Sequence, residues 1–239
     1  MARTELVVPP LTPFDGQGAI DWPALQRQID YIIEVCGATQ VVAAGVEAQE
    51  YQTLDSATRR ELIRRTVAYT AGRVPVVVGA SAPDPGLCIE LAGFAADLGA
   101  AAVQVLAPLR PFGGAPGEAD LLRFYETIAS AVSLPIVLYL NPGPGAEVSI
   151  PATVALARLP QITMIKESSR DLARVSRLIV EIDQAGHARY LTTVQMLLAT
   201  IMLGGSGATM PAPAAEIARG VIDAWEAGDA RLAAALQRH

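Results

Sequence analysis

Eight times along this chain a short run rich in Val and Ile is followed by a longer amphipathic stretch, and that repetition restricts the available folds more than any motif does. The strand-like runs are Glu5 to Val8, Thr39 to Ala44, Val74 to Gly79, Ala102 to Leu106, Pro135 to Tyr139, Ile162 to Lys166, Arg189 to Thr193 and Gly207 to Met210. The helical stretches behind them are Asp21 to Cys36, Asp55 to Ala71, Asp84 to Leu98, Glu118 to Val132, Ile150 to Leu159, Arg170 to Gln184, Gln195 to Leu203 and Pro213 to Ala227. Several open on a capping residue or a proline, and Gly37, Gly72 and Gly99 close three of them. The strands are apolar throughout rather than alternating, as in a parallel sheet with both faces covered. The chain therefore reads as an α/β protein whose strands close into a (β/α)8 TIM barrel. An open, doubly wound sheet is the alternative, but no Gly-x-Gly-x-x-Gly or Walker-type loop follows the first strand. The barrel is expected over residues 1–211, with the last barrel helix and a shortened C-terminal helical segment in 212–239.

Composition narrows the functional classes. With 51% hydrophobic and 18% charged residues in 239, the chain has ample apolar surface for a large core. A net charge of -6 and no basic stripe speak against a nucleic-acid partner, and a small-molecule substrate is expected instead. No run approaches the roughly 20 apolar residues of a membrane span, and Met1 to Glu5 lacks the apolar stretch of a signal peptide, so neither a membrane association nor export is expected. Cys36 and Cys88 show neither metal spacing nor a disulfide framework, which suits a reducing, cytoplasmic compartment.

Lys166 is the only lysine among the eighteen basic residues, and it closes the apolar run Ile162-Thr163-Met164-Ile165-Lys166. A buried strand rarely finishes on an unpaired cation. Arginine cannot lose its proton near neutral pH, whereas a buried lysine can, and the free amine attacks carbonyl carbon. An ordinary lysine presents the neutral amine on the order of once in a thousand molecules at pH 7, a gap of roughly 4 kcal/mol that burial would close. In a barrel the active site gathers at the C-terminal ends of the strands. Lys166 ends the sixth strand and Tyr139 the fifth, so amine and phenol would emerge side by side, within reach of one small substrate. The loop from Glu47 to Glu50, Arg110, Thr193 and Thr209 would face the same mouth, while Gly204-Gly205-Ser206-Gly207 falls on the opposite rim and reads as a turn. His187 and His239 both lie away from the mouth, which disfavours a histidine metal site or a Ser-His dyad.

Over nearly its whole length the chain resembles the dihydrodipicolinate synthase and N-acetylneuraminate lyase family of class I, Schiff-base-forming aldolases, as a divergent member. The resemblance is carried by Thr12-Pro13-Phe14 with Asp15-Gly16 and Ile20-Asp21, by Glu50 followed by Leu54, by Leu134-Pro135-Ile136-Val137-Leu138-Tyr139 with Pro142, by Ile165-Lys166-Glu167-Ser168-Ser169, and by Leu203-Gly204-Gly205 with Gly207. It implies a homo-oligomeric barrel, dimer or tetramer, in which Lys166 forms an imine with a 2-oxo acid, usually pyruvate, and Tyr139 shuttles protons. No metal or organic cofactor is implied. The expected activity is that of a carbon-carbon or carbon-oxygen lyase; the alternative is a catalytically silent barrel that binds a small metabolite or serves as an assembly scaffold.

Departures from the family pattern lie around the mouth. Where relatives carry Gly-Thr-Thr-Gly-Glu to receive the substrate carboxylate, this chain has Val46-Glu47-Ala48-Gln49-Glu50, so both hydroxyls are missing and a carboxylate stands in their place. The relay tyrosine is absent from Ala107-Pro108-Leu109-Arg110-Pro111-Phe112, Pro144 stands where the synthases place an arginine, and Thr192-Thr193-Val194 replaces their Gly-Asp-Asp. Thr209 occupies a usually apolar position. These changes speak against dihydrodipicolinate synthesis itself. The expected substrate-binding residues are Glu47, Ala48, Arg110 and Thr209: Arg110 would bind an acidic group in place of the lost hydroxyls, and Glu47 would act as a base or hold an amine or hydroxyl.

Overall fold

The computed structural model describes residues 3–48, 50–110 and 114–238, with backbone alone at Ala48, Glu50 and Tyr51. Eight parallel strands close into a barrel in chain order: β1 (Glu5–Val8), β2 (Gln40–Ala43), β3 (Val76–Gly79), β4 (Ala102–Leu106), β5 (Ile136–Leu140), β6 (Ile162–Glu167), β7 (Arg189–Thr192) and β8 (Gly207–Thr209), with β8 returning to pair with β1. The strands are buried on both faces, which is why they carry no polar alternation. Val7, Val42, Val77, Ala102, Val137, Met164 and Leu191 form one apolar cluster, contributed by seven of the eight strands. Larger clusters bind the strands to the surrounding helices.

The first helix, α1 (Trp22–Glu34), opens on Asp21, whose side chain accepts from the Ala24 N–H. Asp55 and Asp84 cap α3 (Ser56–Thr70) and α4 (Pro85–Asp97) in the same way. Next come α5 (Glu118–Ala131) and α6 (Ile150–Ala157), the latter opened by Ser149. Three segments differ from the sequence expectation. The loop after β2 winds into a 3-10 turn, Val46–Ala48, and a single-turn helix, α2 (Glu50–Thr53). The helix expected over 170–184 is shorter: Asp171 caps α7 (Leu172–Leu178) with bonds from two N–H groups, and the chain then widens into a π-turn, Ile179–Asp183. That cap leaves Arg170 outside the helix, at the rim. The stretch expected over 195–203 is a 3-10 turn, Val194–Met196, leading into α8 (Leu197–Met202). The last helices are α9 (Ala212–Glu226) and α10 (Ala230–Leu236). Among the described residues, no helix is long and apolar enough to cross a membrane.

One irregularity fixes the register that the mouth depends on. Ile136 pairs with Ile162, but Val137 pairs with Met164, so β6 gains a residue between the two pairs. Tyr139 thereby lies opposite Lys166; continued without the shift, it would lie opposite Ile165. Because side chains alternate across a strand, that slip would turn the lysine to the other face.

A close approach at the C-terminal end of β2 adds a second constraint. Ala44 adopts a positive φ of 51° there, and a Cβ added at Gly79 would collide with the Ala44 carbonyl. Gly79→Ala is expected to destabilise the protein by about 1–3 kcal/mol through overpacking. Gly93→Ala in α4, where a Cβ meets nothing within 4 Å, should stabilise it by roughly 0.5–1 kcal/mol. Urea denaturation of the two variants measures both, and equal effects would refute this account of the β2 end.

Candidate active site

Lys166 rises from the end of β6 with 4% of its surface exposed. It lines a cavity of about 500 Å³ at the C-terminal mouth of the barrel, together with Glu47, Tyr139, Arg170 and Thr209. The amine Nζ stands 3.5 Å from the centre of the Tyr139 ring, a separation at which the ring's negative face attracts a cation. Asn141 Nδ2 donates to the Tyr139 hydroxyl at 2.9 Å. On another side Glu47 Oε1 lies 3.4 Å from Nζ, and Gln104 Nε2 donates to that same oxygen at 3.2 Å. Glu47 Oε2 is buried and has no hydrogen-bond partner among the described residues.

Burial pushes the Lys166 amine below its ordinary value, and the Glu47 carboxylate pulls it part of the way back, with a smaller contribution from Glu167. Glu167 differs from Glu47 in its commitments. It is 1% exposed, accepts from Arg174 Nε at 3.0 Å and from the Ser169 N–H at 3.1 Å, and pairs with Arg174 again at 2.9 Å. Burial raises its pKa, and Arg174 opposes that rise. Arg174 also donates to the Thr153 hydroxyl at 3.2 Å, so this pair, which lines the same cavity, ties β6, α6 and α7 together.

The cavity brings together most of the residues expected from sequence, and Arg110 is not among them. It is exposed and lines a separate depression with Ser81, Leu106 and Pro144. Its backbone N–H donates to the Gly114 carbonyl at 3.0 Å. The side chain of Ala48, expected to bind substrate, lies outside the described residues, as do Gln49, Pro111 and Phe112. Thr193 and Thr209 both line the cavity of Lys166. Asn141, Gln104 and Arg170 are site residues that the sequence reading passed over. Gln104 had a visible signal, being the single polar residue in Ala102-Val103-Gln104-Val105-Leu106. Arg170 had none, because it was read as part of a helix; it is exposed at the rim, where Nε donates to Gln195 Oε1 at 3.1 Å. Among the described residues no group of three or more His, Cys, Asp or Glu side chains gathers where a metal ion could be held.

A closed barrel with a buried lysine beside a tyrosine at its C-terminal mouth defines the class of fold and site, and comparisons supply the family. The model of the dihydrodipicolinate synthetase family matches residues 2–239. The chain belongs to that family. It is 35% identical over 198 residues to a 4-hydroxy-tetrahydrodipicolinate synthase of Aromatoleum aromaticum, a match that covers 82% of this chain and 66% of that relative. The chain thus spans about 66% of the length of such curated relatives. Among solved structures, YagE of E. coli K12, a prophage protein of the dihydrodipicolinic acid synthase family in complex with pyruvate, superposes with a TM-score of 0.90 at 26% identity, covering 100% of this chain and 80% of that one. N-acetylneuraminate lyase from Mycoplasma synoviae shares the fold, with a TM-score of 0.84 at 20% identity over 98% of this chain and 78% of its own.

The Glu167–Arg174 pair makes a pH-dependent prediction. Breaking a buried pair from one side costs about 3–5 kcal/mol, and the partial exposure of Arg174, 17% of its side chain, puts Arg174→Met toward the lower end. Without the guanidinium the raised pKa of Glu167 rises further. A raised folded-state pKa favours folding below the unfolded value near 4.3 and loses that advantage as pH climbs through the folded value. The variant's stability deficit should therefore be larger at pH 8 than at pH 5. Equal deficits at the two pH values in urea titrations would refute it.

Proposed function

We propose that this protein is a Schiff-base-forming lyase, an aldolase or dehydratase that acts on a 2-oxo acid or related small carbonyl compound through Lys166. The observation that carries this reading is the position of the amine: buried at the end of β6, lining the cavity, and 3.5 Å above the ring of Tyr139. Family membership supports the same chemistry at the level of class. In this reading the neutral amine adds to the carbonyl carbon, and the resulting carbinolamine loses its oxygen as water, with the Tyr139 hydroxyl supplying and taking up protons. The protonated imine then accepts the electron pair released when a bond one carbon away breaks. Glu47, Gln104 and Asn141 position the amine and phenol, and Thr209 lines the wall. Arg110 has no part in it.

The relatives named as synthases share about a third of their residues with this chain. We nevertheless assign it a different substrate. Glu47 occupies the place from which a carboxylate would be received, and Pro144 stands where the second substrate would be gripped. A catalytically silent barrel is the second reading, and the ion pair between Glu47 and Lys166 favours it, because the carboxylate favours the charged amine over the neutral nucleophile.

Borohydride reduction in the presence of a panel of 2-oxo acids and simple ketones, followed by mass spectrometry of the peptide that contains Lys166, separates the two. A reduced adduct on Lys166 is expected; its absence across the whole panel leaves the silent barrel. The pH dependence of trapping gives a further check. Trapping should accelerate with pH through a midpoint below that of an ordinary lysine. In Glu47→Gln, which removes the charge that pulls the amine's pKa upward, the midpoint should move to lower pH. A shift to higher pH would contradict the assigned electrostatics.

A further inference from the structure

Glu47 is the least expected group in the cavity, and three surrounding features show that its position is built. Gly45 has no side chain, and a Cβ there would collide with Glu47 Oε2. Gln104, 1% exposed in an otherwise apolar strand, donates to Oε1 at 3.2 Å. Lys166 stands 3.4 Å from that oxygen. A carboxylate thus lies directly against the nucleophile, with one oxygen, Oε2, buried and unpartnered among the described residues. A buried acceptor of this kind calls for a donor.

These features bear on what can sit on the carbon next to the reacting carbonyl. In a 2-oxo acid that carbon is a carboxylate, so imine formation on Lys166 would bring a second anion close to Glu47, whose own side chain is 14% exposed. Like charges at such range repel, and one of the two must take up a proton or move away. A neutral neighbour with an O–H or N–H removes the conflict and offers Glu47 Oε2 a donor, which it does not have among the described residues. The cations that remain do not offset a carboxylate beside the imine. Arg174 is committed to Glu167 and Thr153, and Arg170 lies at the rim, held by Gln195. Among the described side chains that line the cavity, the cation left for an acidic group on the substrate is Arg170 at the rim.

We infer that Glu47 is a specificity-determining residue that selects, at Lys166, carbonyl compounds whose carbon next to the carbonyl bears a hydroxyl or another neutral hydrogen-bond donor, and selects against 2-oxo acids. The inference rests on the proposed imine chemistry of Lys166 and narrows its substrate class. In the covalent step the amine nitrogen bonds to the carbonyl carbon, the carbonyl oxygen departs as water, and added borohydride delivers the hydride that reduces the imine to a stable secondary amine.

The test uses small probes on the intact protein: hydroxyacetone, acetone, pyruvate and pyruvamide, the last having nearly the size of pyruvate but no charge and an N–H donor. Initial rates of borohydride trapping on Lys166 are measured for the wild type and for Glu47→Gln, with Glu47→Ser in reserve should the first variant not fold. Comparing ratios between proteins cancels the intrinsic reactivity of each probe. The hydroxyacetone-to-pyruvate and pyruvamide-to-pyruvate ratios should each be at least tenfold higher in the wild type than in the variant, and the hydroxyacetone-to-acetone ratio should fall on substitution. Ratios that agree within twofold between the two proteins, with adducts formed, would overturn the inference while leaving the lysine chemistry intact. No adduct from any probe in either protein would instead remove the imine chemistry, and the inference with it.

Discussion

A closed ring of parallel strands turns only alternate residues of each strand inward, and everything at this site follows from which residues those are. Tyr139 and Lys166 share the cavity because β5 and β6 pair them directly, and they pair directly because β6 gains a residue between Ile162 and Met164. The same alternation puts Gln104 two residues beyond Ala102, a member of the inner apolar cluster, and places Thr209 at the end of β8, in the cavity wall. The barrel supplies rigidity from its apolar layers, and Lys166, Tyr139 and Thr209 reach the cavity from inward-facing positions near the strand ends, while Glu47, Asn141 and Arg170 come from the loops beyond them.

At that rim the electrostatics is a contest of two large terms. A carboxylate 3.4 Å from an ammonium gains about 5 kcal/mol of gross Coulomb attraction at an effective dielectric near 20. Removing each ion from water costs several kcal/mol. For Lys166 the balance comes out below the ordinary lysine value, so burial outweighs the neighbouring carboxylates. The Tyr139 ring face adds a smaller attraction for the cation, worth up to about 2 kcal/mol where water is excluded. The amine is thus easier to deprotonate than one in solvent, yet it is surrounded by groups that welcome a positive charge.

Much of this was legible in the sequence because the same physics acts on both levels. Apolar strands without alternation can only be buried on both faces, so the parallel barrel and the positions of Lys166 and Tyr139 at strand ends follow from pattern alone. What was not legible arises from tertiary geometry. Arg170 reads as helical until the Asp171 side chain caps α7 one residue later and leaves the arginine at the rim. Arg110 reads as a mouth residue from its place after the fourth strand, but it lines another depression, with Ser81, Leu106 and Pro144. The bulge in β6 leaves no mark in composition, and it decides the contact between the amine and the phenol.

The two glutamates near Lys166 show how the cavity divides its charges. Glu167 is bound on several sides by Arg174 and the Ser169 N–H, so its charge is balanced whatever the lysine does. Among the described residues Glu47 has the Gln104 amide and the Lys166 amine. If the lysine simply lost its proton, Glu47 would be left as a buried and poorly compensated anion, which is costly. Under the proposed chemistry the product of condensation is a protonated imine, a cation on the same nitrogen, so the pair outlasts the covalent step. Glu47 therefore disfavours the resting neutral amine and favours the iminium formed from it. Under the proposed chemistry that arrangement directs the carboxylate's stabilisation to the intermediate that must act as the electron sink.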